Sequence, residues 1–144
     1  MTPQEAKNRI GTDGITCILL KEGEEPLVSR VRGVRPILGW IEEGKDLSCY
    51  EAYDTIVGRA AALMYVKAGL KSVYGKVLSR GAAAELEKAG IAWEAEESPE
   101  YIVNRQGTGM CPMEQTVLGI DDPEKAFFAL KEKIASLQSA RPGI

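Results

Sequence analysis

The chain has 144 residues, 44% of them apolar and 27% charged, with a net charge of −3. That length suits one domain with one core. Mild acidity without a basic tract argues against nucleic acid as a partner, and the apolar runs are too short to cross a bilayer.

Thr2-Pro3-Gln4-Glu5 reads as a capping box. Thr2 is the expected N-cap, Pro3 the first helical residue and Glu5 the residue that reaches back. The helix should run to about Ile10 and stop at Gly11. Ile15 to Gly23 is a β-branched apolar run, and Glu24 to Gly33 alternates Leu27, Ser29 and Val31 against Val28, Arg30 and Arg32. The two segments read as a hairpin. Val34 to Gly44 suggests a short helix with Ile37, Leu38 and Ile41 on one face.

Asp54 to Gly69 reads as one helix capped by Asp54 and closed by Gly69. Its apolar residues leave little polar surface, so it should lie centrally against a sheet. Ser72 to Ser79 is a strand, Arg80 to Gly90 an Ala-rich helix and Ile91 to Glu97 a strand with one wet face. Tyr101 to Asn104 is short and extended, and Cys111-Pro112-Met113-Glu114 opens a short helix. Asp121 or Asp122 caps a last helix with Ala126, Phe127, Leu130 and Ile134 on its apolar face. Trp40, Trp93, Phe127 and Phe128 read as packing residues. The alternation predicts a three-layer α/β/α domain over residues 1–138, with a frayed tail at 139–144.

There is no histidine. Ser-His-Asp and Cys-His catalysis therefore cannot be built from one chain. The three cysteines, Cys17, Cys49 and Cys111, are widely spaced without a CxxC pair. The N-terminus MTPQEAKNRI lacks the apolar stretch of an export signal. A cytoplasmic protein with reduced thiols and no metal or cofactor is the expectation.

The segment NRQGTGMCPMEQ is the strongest candidate site. With Cys111 at the N-cap, its thiol would face free N–H groups at the positive helix end, which favours thiolate. Glu114 would accept from the Cys111 amide. Gly107 and Gly109 would let the loop turn with positive φ. Asn104, Arg105 and Thr108 supply polar groups for a small anion. The competing reading makes Cys111 a small buried hydrophobe and the glycines a plain turn.

Arg59 interrupts an otherwise apolar helix. It is either a solvated stripe or a paired arginine facing a cleft, with Asp54 as a candidate partner. Ser79 and Arg80 stand at a strand-to-helix junction, where ligands of open α/β sheets bind. For Ser79 a plain N-cap is the simpler role.

The order and spacing of DTIVGRAAA and NRQGTGMCPME resemble a small prokaryotic family of uncharacterised proteins. The resemblance implies a cytidine-deaminase-like fold. In the zinc deaminases of that fold, His-Ala-Glu opens one helix and Pro-Cys-x-x-Cys opens the next. The matching positions here read Val57-Gly58-Arg59-Ala60-Ala61 and Ser79-Arg80-Gly81-Ala82-Ala83. Zinc-activated water attack needs those ligands and the glutamate, so ordinary deamination is not expected. The sequence points to a binding domain for a small anionic, nucleotide-like ligand, using Arg59, Ser79, Arg80 and the glycine loop. The alternatives are a thiol enzyme with Cys111 as nucleophile, and a non-catalytic assembly protein. Homo-oligomerisation stays open.

Overall fold

In the computed structural model, residues 1–104 and 106–139 are described. The elements run α1 (Pro3–Arg9), β1 (Cys17–Leu20), β2 (Leu27–Ser29), α2 (Arg35–Glu42), β3 (Glu51–Val57), α3 (Arg59–Ala68), β4 (Ser72–Leu78), α4 (Arg80–Lys88), β5 (Ala92–Glu97), α5 (Pro112–Thr116) and α6 (Pro123–Ser139). Five strands make one mixed sheet in the order β2-β1-β3-β4-β5. β1 is antiparallel to β2 and to β3, whereas β3, β4 and β5 are parallel. The chain is an α/β fold.

Alternation along the strands separates two faces. Cys17, Leu19, Ala52 and Val73 point into the main core with α2, α3, α4 and α6. Ile18, Leu20, Tyr53 and Tyr74 point the other way and pack with Ala6 of α1 and with Ile10 at its end. Helices therefore cover both faces, but unequally: one seven-residue helix serves the second face. α3 lies deepest. Its residues Ala60 to Tyr65 are all buried, because the sheet covers one side of the helix while α2, α4, α5 and α6 touch it elsewhere.

Several expected starts and stops hold. The Thr2 hydroxyl accepts from Glu5 N–H at 3.1 Å. The hairpin pairs Cys17 with Ser29 and Leu19 with Leu27. Gly69 closes α3 at φ 76, and Asp122 accepts from Glu124 N–H at 3.0 Å to start α6.

One element is corrected. The stretch from Asp54 to Gly69 is not a single helix. Its first residues finish strand β3, and the helix begins only at Arg59. Thr55-Ile56-Val57 is β-branched and follows Tyr53, a composition that favours a pleated strand. Gly58 then breaks it. Asp54 accordingly sits in mid-strand, opposite Cys17 on one side and Gly75 on the other, and caps nothing. Phe128 is also corrected: it is 56% exposed, while Phe127 fills the core position beside it. The expected tail starts at Ser139, the last residue of α6, and residues 140–144 lie outside the described residues. Among the described residues no helix is long and apolar enough to cross a membrane.

Candidate functional site

β3 and β4 are parallel neighbours, so α3 and α4 begin side by side at the same sheet edge. Ser79 N–H donates to Val57 O across that edge at 3.0 Å. α4 has a local cap: the Ser79 hydroxyl accepts from Ala82 N–H at 3.1 Å. Ser79 is only 1% exposed. Its oxygen is engaged in the cap, as the simpler reading had it.

α3 has no such local cap, because its N-cap residue is Gly58. The missing acceptor comes from far along the chain. The buried Glu114 carboxylate accepts from Arg59 N–H and from Ala60 N–H, each at 2.7 Å. Two of the orphan donors that any helix start exposes are thus satisfied by one carboxylate at the positive end of the helix. Gly58 is required for this arrangement. A Cβ there would lie 2.5 Å from Glu114 Cδ and 2.8 Å from Oε2. Glu114 therefore does not form a capping box with Cys111. The Cys111 amide instead donates to Ile102 O at 2.9 Å, and the glutamate turns inward to α3.

Arg59 is paired, but not with Asp54. Its Nη2 donates to Asp121 Oδ1 at 2.9 Å, to Ile120 O at 2.6 Å and to Glu85 Oε1 at 3.4 Å. Its Nη1 donates to Val117 O. The side chain is 19% exposed, so the solvated-stripe reading fails as well. Arg59 is a clamp joining α3 to α4 and to the turn between α5 and α6. Two carboxylates and two carbonyls already surround the guanidinium, which leaves it poorly suited to an external anion. Glu85 and Asp121, its acidic partners, carried no signal as such in the sequence. Arg80 lies on the same sheet edge with an exposed side chain, and its amide donates to Pro99 O at 2.8 Å.

The glycine loop is the tip of a small hairpin. Val103 bridges Met110, and Asn104 N–H donates to Gly109 O at 2.7 Å. Asn104 and Thr108 bond each other: the Asn104 side-chain Oδ1 accepts from Thr108 N–H at 3.0 Å, and its Nδ2 donates to the Thr108 hydroxyl at 3.1 Å. Of the two glycines, only Gly107 takes positive φ, at 71°. Arg105 lies outside the described residues. Cys111 is the N-cap of α5 and is half-buried, and its side chain makes no capping bond. The loop and Cys111 thus reach the α3–α4 edge through Glu114, three residues beyond the cysteine.

A second buried polar group lies between β1, β3 and α3. Tyr65 O–H donates to Asp54 Oδ2 at 2.7 Å, and Cys17 Sγ stands 3.4 Å from the same hydroxyl. Burial raises the Asp54 carboxyl to about 7, against partial lowering by the Tyr65 hydroxyl and nearby backbone N–H groups. Burial likewise pushes the Cys17 thiol and the Tyr65 phenol up, with the neighbouring Asp54 charge adding to both. Among the described residues, no three histidine, cysteine, aspartate or glutamate side chains gather at metal-binding spacing.

The family described as a domain of unknown function (DUF1893) matches residues 5–134. The chain belongs to this family. A solved structure of a DUF1893 family protein from Thermotoga maritima is similar, with a TM-score of 0.80 and 24% identity. The match covers 90% of this chain and 88% of that one. At that identity the likeness speaks for the fold. No curated protein matches. In this DUF1893 chain the matched span takes in the whole α3–α4 edge and the segment that carries Glu114.

Proposed function

We propose that this DUF1893 protein is a cytoplasmic binding domain for a small anionic ligand, on a cytidine-deaminase-like scaffold. The observation behind this reading is the carboxylate of Glu114, held at 2.7 Å by both Arg59 N–H and Ala60 N–H. The N-terminus of α3 is an anion seat, and the chain fills it with its own side chain. A free carboxylate or phosphate has the same charge and acceptor geometry. It would take the seat when the segment bearing Glu114 swings away. Exposed Arg80, at the neighbouring helix start, adds positive charge at that edge. Two strands, a helix and then strand–helix units around a mixed sheet fit the deaminase-like reading. In this reading Gly58-Arg59 and Ser79-Arg80 hold the places of zinc-binding motifs. Three free cysteines fit a reducing compartment. The thiol reading of Cys111 has less behind it, since α5 spans five residues and the thiol makes no bond to its first turn.

The test is thermal shift with phosphate, simple carboxylates and nucleoside monophosphates, on wild type, Glu114→Ala and Arg80→Ala. The expected result is stabilisation by at least one anion, larger in Glu114→Ala, where the seat is open, and smaller in Arg80→Ala. The reading fails if none of the three proteins responds to any of these anions at millimolar concentration.

A further inference from the structure

One buried group at the centre of the sheet has no role so far. Asp54 is 5% exposed in the middle of β3. The groups facing it are few. β1 offers Cys17, directly across the ladder. β4 offers Gly75, which has no side chain. α3 offers Tyr65, whose hydroxyl donates to Asp54 Oδ2 at 2.7 Å. Among the described residues no salt bridge reaches Asp54. Burial without a cation favours the protonated carboxyl, since only the Tyr65 hydroxyl and the Thr55 and Ile56 backbone N–H groups offset the charge of the ionised form. Among the described residues the hydroxyl bonded to it is that of Tyr65, which itself stands 3.4 Å from the Cys17 sulfur. Three titratable groups from three separate elements thus share one hydrogen-bonded chain, and burial favours the neutral form of each.

We propose that Cys17, Tyr65 and Asp54 form a proton-operated latch joining β1, β3 and α3, tight while Asp54 holds its proton and easier to open as pH rises. The sign follows from linkage. In the closed protein Asp54 releases its proton near pH 7, whereas a water-exposed aspartate does so near 3.8. Below the lower value both states are protonated and the latch has its full strength. Between the two, opening releases a proton. The open state then gains about tenfold in population per pH unit. Above pH 7 both states are ionised and the effect levels off. α3 carries the anion seat at its other end, so the latch controls how firmly that helix is anchored to the sheet. The latch stands on its own geometry and does not need a ligand in the seat.

The experiment has two readouts on the whole chain: the ¹³C shift of the Asp54 carboxyl between pH 4 and pH 9, and amide exchange at Cys17 and Tyr65, normalised to intrinsic rates. The expected result is a carboxyl that titrates near pH 7. Protection in the wild type falls by up to about tenfold per pH unit below that midpoint and then levels off. Asp54→Asn, neutral at every pH and still an acceptor for Tyr65, should give a flat profile. A carboxyl that titrates below about pH 5 overturns the proposal. So does wild-type protection that does not change across the titration, or that changes in parallel with the Asn variant. If Asp54→Asn does not fold, the coincidence of the two wild-type midpoints decides.

Discussion

α3 and α4 follow consecutive parallel strands and start at the same sheet edge, yet their first turns are closed in opposite ways. α4 is capped from three residues away, by Ser79 onto Ala82 N–H. α3 is capped from 55 residues away, by Glu114 onto Arg59 N–H, with Ala60 N–H on the second oxygen. The side-chain cap of α4 comes from its own N-cap residue. The start of α3 is complete only when the segment after the hairpin has docked. Arg59 binds that same segment at Val117, Ile120 and Asp121. The first turn of α3 and the segment from Cys111 to Asp121 therefore form one unit, held by a carboxylate on the backbone and a guanidinium beside it.

The sharpest way to break this asymmetry is Glu114→Ala. It leaves two buried N–H groups without an acceptor and an empty space at the helix start. The expected cost is about 3 kcal/mol, read from chemical denaturation. Gly58→Ala should cost nearly as much, roughly 2–3 kcal/mol, because its Cβ displaces the carboxylate. The pair should be less than additive: the three atoms nearest the added methyl group all belong to the Glu114 carboxylate and leave with it. A double-mutant cycle that sums to full additivity would show that Gly58 and Glu114 do not act on each other.

This asymmetry also marks how far the sequence could be read. Local signals were legible: Thr2 before Pro3, Ser79 before α4, Asp122 before α6, and Gly69 after α3. Each involves residues within a few positions of one another. The misread stretch is Asp54 to Gly69, where strand β3 passes into α3 through Gly58-Arg59 with no side-chain N-cap to mark the start. Periodicity cannot divide such a run. The β-branched Thr55-Ile56-Val57 followed by Gly58 was the available mark of the boundary. Glu114 shows the same limit from the other side. Its spacing from Cys111 suits a capping box, and only the three-dimensional approach of α5 to α3 sends it elsewhere. The one trace in the sequence is Gly58, a helix start with no side chain to cap it. Asp54 was misplaced with its element, so its burial beside Tyr65 and Cys17 could not be foreseen. Arg59 was legible as a paired arginine, but its partners lie 26, 58, 61 and 62 residues away.

Arg59→Met sharpens the comparison at the side-chain level. Methionine keeps most of the packing volume and removes the donors. The Ile120 carbonyl loses the Arg59 donor, the Val117 carbonyl is left with the Ile120 N–H at 3.0 Å, and buried Glu85 keeps Lys88, at 3.6 Å. The expected loss is about 2 kcal/mol. Amide protection should fall in α5 and at the start of α6 more than in α4. Equal loss of protection throughout would mean that Arg59 is not specific to the docked segment.

Ser79→Ala is the counterpart at α4 and should have the smallest effect, about 1 kcal/mol, as for an ordinary N-cap deletion. Its consequences should also stay local. The Ala82 amide loses its acceptor, but Ser79 N–H still donates to Val57 O, and Arg80 N–H still donates to Pro99 O. Exchange should therefore rise in the first turn of α4 while α3 and α5 keep their protection. If Ser79→Ala instead loosens α5 as Glu114→Ala does, the two helix starts are not independent. Both caps would then belong to one cooperative edge.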